Sequence, residues 1–380
     1  MIRGYKIRLY PTKEQEQLMW KHIGCCRYVW NYMLELQQTR YKNGEKHLTG
    51  FDMIKLLTPL KKDGEHDWLA EVSNSSLSEI CRDMDRGYKR LFKKISRAPK
   101  FKSKKNSKLS FPTRAGRMYF KDPIHVNIEK IGKVKCKTDF KFPIGRSVAK
   151  FGNTRISYKN GKWMLCFVME CENQAPVLTD QTMGIDLGIK DLAIAELNGE
   201  KIVFHNINKS KKIKYLKNQL KHTERTISRK YEANRVGNKY FKTNNIIREE
   251  DKLRKLHARI ANIRHNYIHQ TTHALISKLP KRVVMEDLCV KDMLKNKHLS
   301  KYIHEQCFYE FIRQMEYKCE WNGIEFVQVD RYYPSSKTCS QCGHVKKNLK
   351  LSDRTYVCDE CGLVIDRDYN AAINLSKYTG

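Results

Sequence analysis

Residues 183–207, MGIDLGIKDLAIAELNGEKIVFHNI, decide the architecture of this chain. MGIDLG reads as a buried strand ending in a turn and DLAIAEL as a second strand. KIVFHNI is a third, joined to the second through Asn198-Gly199, a dipeptide suited to the tight turn of a hairpin. Moving outward, Asn208 to Lys278 is long, basic and helical. RVVMEDL (282–288) is a short apolar strand ending in acids, His304 to Asn322 is helical, and IEFVQVD (324–330) is another apolar strand. A meander followed by strands alternating with helices predicts a mixed-sheet α/β domain. The polar stretch NQAPVLTDQ (173–181), which contains Pro176, marks a boundary before it. Upstream, Gly116 to Cys171 holds short alternating segments divided by Gly, Pro and Asn-Gly turns, the pattern of a small antiparallel β domain, joined by a strand from Ile2 to Tyr10 that Pro11 ends. A helix follows, capped by Thr12 with Gln15 and striped by Met19, Ile23, Cys26, Trp30 and Met33. A second is expected to start at Ser76 with Glu79, striped by Leu77, Cys81, Met84, Tyr88 and Leu91. Both stripes read as core.

The chain has 380 residues, enough for two or three domains, and Lys+Arg 74 against Asp+Glu 41 gives a net charge of +33. That sign and size point to a polyanionic partner. No apolar run reaches the roughly 18 residues of a membrane span, and Met1 to Tyr10 lacks a signal-peptide core. The run KRLFKKISRAPKFKSKKNSK (89–108), with Phe92 and Phe101 interleaved, suits phosphate contact plus base stacking, although a solvated linker has the same composition. Thirteen cysteines, most of them scattered, argue against a secreted disulfide framework. Cys25, Cys26, Cys81 and Cys166 fall within apolar periodicity and read as buried thiols. The expected compartment is the cytoplasm.

Cys339 and Cys342 form one C-x-x-C pair and Cys358 and Cys361 another, fifteen residues apart. Each knuckle presents two thiolates to one side of a tetrahedral ion, so the spacing predicts one structural Zn²⁺ in a ribbon. Gly343 and Gly362 follow each pair, where the turn needs unusual backbone angles. A redox role would need only one such pair, and four thiolates leave His344 no place as a ligand. A closed thiolate shell has no open position, so chemistry must come from elsewhere.

Acids stand at element ends: Asp186 in GIDLG, Glu286 in VVMEDL and Asp368 in IDRDYNAAINL (365–375). Metal-dependent phosphodiester hydrolysis needs hard oxygen ligands converging from separate elements, clamping two ions about 4 Å apart. Asp186 lies within an apolar strand, where a carboxylate is costly without a cation or donors. Beside Gly188 it could instead be a turn aspartate. Asp287 could equally be the inward acid of its strand, and Asp366 and Asp368 could both cap the last helix.

GIDLGIKDLA, VVMEDL, VDRYYPSSKTCSQCG (329–343) with YVCDECG (356–362), and DRDYNAAINL (366–375) resemble the TnpB proteins of bacterial insertion sequences, relatives of type V CRISPR effectors. YKIRLYPTKEQ (5–15) and PKFKSKKNS (99–107) are similar to that family too, so the resemblance spans nearly the whole chain. It implies an RNase H-like (RuvC) nuclease domain of α/β class over 179–335 with a basic helical insertion. A zinc ribbon at 336–362 and a C-terminal RuvC segment at 363–380 would follow. An N-terminal wedge strand (1–10), a helical recognition region (11–115) and a wedge β domain (116–178) would complete it. The family's catalytic acids map onto Asp186, Glu286 and Asp368, holding two Mg²⁺ ions. Its zinc ligands map onto Cys339, Cys342, Cys358 and Cys361. The implied activity is RNA-guided cutting of double-stranded DNA beside a short adjacent motif, with a guide RNA from the element's own end, by a monomer associated with a bacterial or archaeal nucleoid. A nuclease-inactive guided repressor and a guide-independent transposition regulator are the alternative readings.

Overall fold

The first unit, Met1–Glu172, starts with a strand that ties it together. In the computed structural model, which describes residues 2–379 other than 106, 115, 139, 141, 146–150, 172–175 and 351–352, β1 (Ile2–Tyr10) is followed by three helices. These are α1 (Lys13–Lys42), α2 (Gly50–Leu60) and α3 (Asn74–Phe92). Then come β2 (Ser110–Pro112), β3 (Met118–Asp122), β4 (His125–Ile128), β5 (Gly132–Lys137), β6 (Phe151–Lys159) and β7 (Lys162–Glu170). The seven strands form one sheet, ordered β2-β6-β7-β1-β5-β4-β3, in which β1 runs antiparallel to both β7 and β5. Its period-2 pattern puts Ile7 and Leu9 on the same buried face as Leu165 and Phe167 of β7. Met19 and Met33 of α1, Leu57 of α2, and Leu77 and Met84 of α3 join that core. Helices and sheet therefore share one hydrophobic interior, and the edge strand β2 begins ahead of the expected residue 116.

Three local details differ from expectation. Thr12 and Gln15 do form the capping box of α1. α3, however, begins at Asn74, because Ser73, not Ser76, accepts the bond from Ser76 N. α2 was not anticipated; Thr49 and Asp52 cap it reciprocally. Burial pushes the Cys25 thiol up to about 11 and Cys81 to about 12, so both behave as small apolar groups, while Cys166 is half-buried.

The second unit, Asn173–Gly380, contains β8 (Thr182–Leu187), β9 (Asp191–Leu197) and β10 (Glu200–His205) as an antiparallel meander. The linker expected at 173–181 begins in residues 173–175, which lie outside the described residues. Asn198 and Gly199 both take positive φ, 52° and 81°, as their hairpin turn requires. The expected single helical stretch after the meander is a hairpin of two helices, α4 (Lys211–Ala233) and α5 (Asn244–Ile276). A small ribbon of β11 (Arg235–Val236) and β12 (Lys239–Tyr240) caps it. Leu216, Leu256 and Ile260 give the hairpin its own apolar seam. Next come β13 (Arg282–Glu286), α6 (Val290–Met293), α7 (Ser300–Gln306), α8 (Phe308–Asn322) and β14 (Glu325–Val329). α7 and α8 are separate because Cys307, at φ 56°, breaks the helix between them. β15 (Thr355–Val357), β16 (Val364–Asp366) and α9 (Arg367–Ser376) complete the unit.

The main sheet runs β10-β9-β8-β13-β14. β13 is parallel to both β8 and β14. One face packs on α5 and α8 through Ile268, Leu275, Phe311 and Met315. α9 lies on the other, with Leu375 against Val284 and Val329. Among the described residues no helix is long and apolar enough to cross a membrane.

Candidate nuclease centre and cysteine cluster

At the join of β8 and β13 the antiparallel meander gives way to parallel pairing, and such a switch opens a crevice beyond the strands' C-terminal ends. Register places Ile185 opposite Met285, so Asp186 and Glu286 follow side by side at those ends. α9 crosses β8 very closely. A Cβ on Gly184 would run into the backbone of Ala372 and Ser376, so only glycine admits the helix there. This approach brings Asp368, in the first turn of α9, beside the other two acids.

Asp186 shows the consequence. Burial first, then the nearby carboxylates of Glu286 and Asp368, hold its carboxyl well above the ordinary range, with Arg367 opposing the rise. The Arg367 guanidinium donates to Asp368 Oδ1 through Nη2 at 3.0 Å and Nε at 3.2 Å. Glu286 Oε1 accepts from Ser335 Oγ. Asp287 turns away to an exposed pair with Arg331, 2.7 Å. Asp366 is the N-cap of α9, accepting from Tyr369 N at 2.9 Å. The two ambiguous pairs in the sequence thus divide, one acid of each facing the crevice side and one engaged elsewhere. The carboxylates stand further apart than the cysteine ligands; among the described residues they do not bring three ligand oxygens within 4.8 Å of one another. Their donor set, all hard oxygens crowded closely enough to raise the Asp186 carboxyl, fits a divalent cation such as Mg²⁺.

The four cysteines do close. The Sγ atoms of Cys339, Cys342, Cys358 and Cys361 all lie within 4.8 Å of one another, a cluster that could hold a metal ion. Cys339 N donates to His344 O and Cys358 N to Leu363 O, the tight turns for which Gly343 (φ 79°) and Gly362 (φ 71°) supply left-handed backbone. Donation from Cys361 N brings the Cys358 thiol down to about 6, toward the thiolate a metal needs.

Several supporting residues escaped the sequence reading. Asn370 takes Ser340 N at 3.0 Å and gives to Thr338 O at 2.7 Å. Asn374 gives to Ser335 O at 2.7 Å and Thr338 O at 2.6 Å. Lys377 Nζ donates to Ser340 O at 2.6 Å. The base of the cysteine ribbon is therefore bonded to the helix carrying Asp368 and, through Ser335, to Glu286. Gln306 Nε2 braces the loop after Asp186, donating to Gly188 O at 3.0 Å and Ile189 O at 3.1 Å. The available signal was two amides, Asn370 and Asn374, one turn apart in an otherwise apolar helix face and both buried.

Three family profiles match in succession. They are the OrfB_IS605 helix-turn-helix domain over 1–46, OrfB_IS605, "Probable transposase", over 166–297, and the Cas12f1-like TNB domain over 308–375. Within 1–46 the structure has one strand and one 30-residue helix. A Streptomyces pristinaespiralis protein named "Putative RNA-guided DNA endonuclease" is 31% identical over 383 residues, covering 98% of this chain and 88% of that protein. The Escherichia coli K12 protein named "Putative RNA-guided DNA endonuclease InsQ" is 29% identical, covering 98% and 91%. Among solved structures, a Cas12f1–sgRNA–target DNA complex aligns over 99% of both chains at 16% identity, with a TM-score of 0.38. The likeness to the Streptomyces protein takes in 98% of the chain and so runs through both units, and the chain belongs to the TnpB family.

Proposed function

We propose that the protein is an RNA-guided DNA endonuclease. Its catalytic centre is Asp186, Glu286 and Asp368 in an RNase H-like (RuvC) domain, and it cuts target DNA next to a short adjacent motif. The observation that carries this reading is the convergence of three acids from β8, β13 and α9 at the sheet's switch point, where burial and then the other two carboxylates raise the Asp186 carboxyl well above its ordinary range. The relatives' names supply the substrate class, and the charge of +33 suits a protein that grips a heteroduplex by its backbone while base pairing reads the sequence.

Asp186, Glu286 and Asp368 would hold two Mg²⁺ ions, which when bound supply the Lewis acidity that polarises the scissile phosphate and its attacking water. Ser335 fixes the Glu286 carboxylate, Arg367 holds Asp368 through Oδ1, and Gln306 anchors the loop that follows Asp186. Cys339, Cys342, Cys358 and Cys361 would hold one Zn²⁺ whose role is structural. In the first unit, β1 and the sheet would serve as the wedge and α1 to α3 as the recognition region, with guide RNA and double-stranded DNA as partners.

The test is cleavage of a guide-matched DNA by protein copurified with its RNA. Asp186→Ala should lose at least about 100-fold in rate, since several kcal/mol of charge stabilisation go with the carboxylate and each 1.36 kcal/mol is tenfold. Guided DNA binding should persist. Cutting at the wild-type rate would reject the site, and wild type that binds target without cutting would favour the repressor reading.

A further inference from the structure

The segment HNYIH sets His265 and His269 four residues apart on α5, so both rings leave the same face of the helix. Their centroids are 5.8 Å apart. Opposite them, the first turn of α8 presents Glu310, and His265 Nε2 lies 3.7 Å from its Oε1. Ligand atoms of the three side chains all fall within 4.8 Å of one another. The two helices are locked beneath the cluster. Ile268 packs with Phe311 and Met315, and Thr272 Oγ1 donates to Gln314 Oε1 at 3.1 Å in the buried layer. Lys318 Nζ bridges Thr272 Oγ1 and His269 O at 2.6 and 3.1 Å.

We propose that His265, His269 and Glu310 form a second metal site, for a divalent first-row transition ion of the zinc class, separate from both the cysteine cluster and the carboxylate centre. Two imidazoles and one carboxylate select Zn²⁺, Ni²⁺ or Co²⁺ over Mg²⁺, which prefers oxygen alone. Three protein ligands leave at least one position open, and both histidines are exposed, so the ion would exchange with solvent. Glu310 is already engaged. Arg313 donates to Oε1 through Nη2 at 2.7 Å and to Oε2 through Nε at 2.9 Å, and Gln314 Nε2 donates to Oε1 at 2.9 Å. An ion that takes Oε1 competes with Arg313, which makes Arg313 the residue that sets affinity. The bound ion would pin the helical insertion to α8. The Gln306 brace of the loop after Asp186 lies just ahead of α8, across the break at Cys307.

The experiment uses untagged full-length protein carrying its ribbon zinc, dialysed against micromolar NiCl2, with both metals counted by mass spectrometry and the binding curve followed by calorimetry. The expected result is one Ni²⁺ per chain beyond the ribbon zinc. That ion should be lost in both His265→Gln and His269→Gln while zinc stays at one, and Arg313→Gln should bind it about tenfold tighter. Both histidines being exposed, the variants should melt with the wild type. Equal nickel in wild type and the double histidine variant would overturn the site. Nickel affinity that falls in Arg313→Gln would overturn the competition at Oε1.

Discussion

Gly184 and Asp186 sit two residues apart and show how far single positions carry this site. Asp186 was legible because an acid inside an apolar strand calls for a partner, and the sheet places it at the switch point. Gly184 was not legible as a contact, since nothing in a lone sequence says that a helix from the far end of the chain will cross it. A methyl group there must displace the backbone of α9 rather than a flexible side chain. Gly184→Ala should therefore cost about 3 kcal/mol or more and cut cleavage at least tenfold, read by thermal melting and a cleavage time course. Gly24 in α1 makes the contrast: an added Cβ meets nothing within 4 Å, so Gly24→Ala should be neutral or stabilising by up to about 1 kcal/mol. The choice between Glu286 and Asp287 rests on a partner distant in sequence, Arg331, and that between Asp366 and Asp368 on which of two neighbouring acids caps α9.

Among the elements, α1 and α3 meet at His22, which is fully buried. Its Nδ1 is 2.7 Å from Leu18 O and its Nε2 accepts from Ser73 N at 3.1 Å, which fixes the neutral ring with Nδ1–H donating. Burial lowers its proton affinity below the ordinary 6.5. The unfolded chain then binds the extra proton, so stability is complete above about 6.5 and is lost as pH falls through the lower folded value. Melting of the first unit should drop between pH 7 and pH 5, by about 2–4 °C per kcal/mol lost, and His22→Gln should flatten that dependence. An unchanged slope in the variant would show that another group titrates.

The helical hairpin and the break at Cys307 illustrate what periodicity misses, for a 3.6-residue repeat continues through a reversal and gives no sign of it. The cysteine ribbon was readable from spacing alone, whereas its bonds to α9 were not. Stripping the metal, or Cys358→Ser, should loosen the base that holds Asn370 and Asn374. Cleavage should then fall with no acid removed, and Asn370→Ala should reproduce the loss with metal content intact. Cys358→Ser protein that cuts at full rate would break that link.

On the scale of the whole chain, charge governs. With +33 to neutralise against phosphate, guide RNA binding should weaken steeply with salt. For six to ten phosphate contacts the fall between 50 and 200 mM is about 10³–10⁵-fold. A filter-binding series would measure the slope, and a flat one would refute backbone-dominated binding. The α/β order of the second unit was legible from hydrophobic patterning. The merger of helices and sheet into one core in the first was not, because packing between elements leaves no local trace.

The acids come from β8, β13 and α9, and the ribbon lies between the last two. During synthesis the first two strands emerge long before the helix that completes the trio, and that helix is bonded to the base of the cysteine ribbon. Nascent chains can thus pair β8 with β13 and still be chemically silent. On the proposed function, the catalytic centre would be assembled only after translation has passed Asp368 and the ribbon has taken up its ion, a delay that would spare the cell's own DNA from half-made copies.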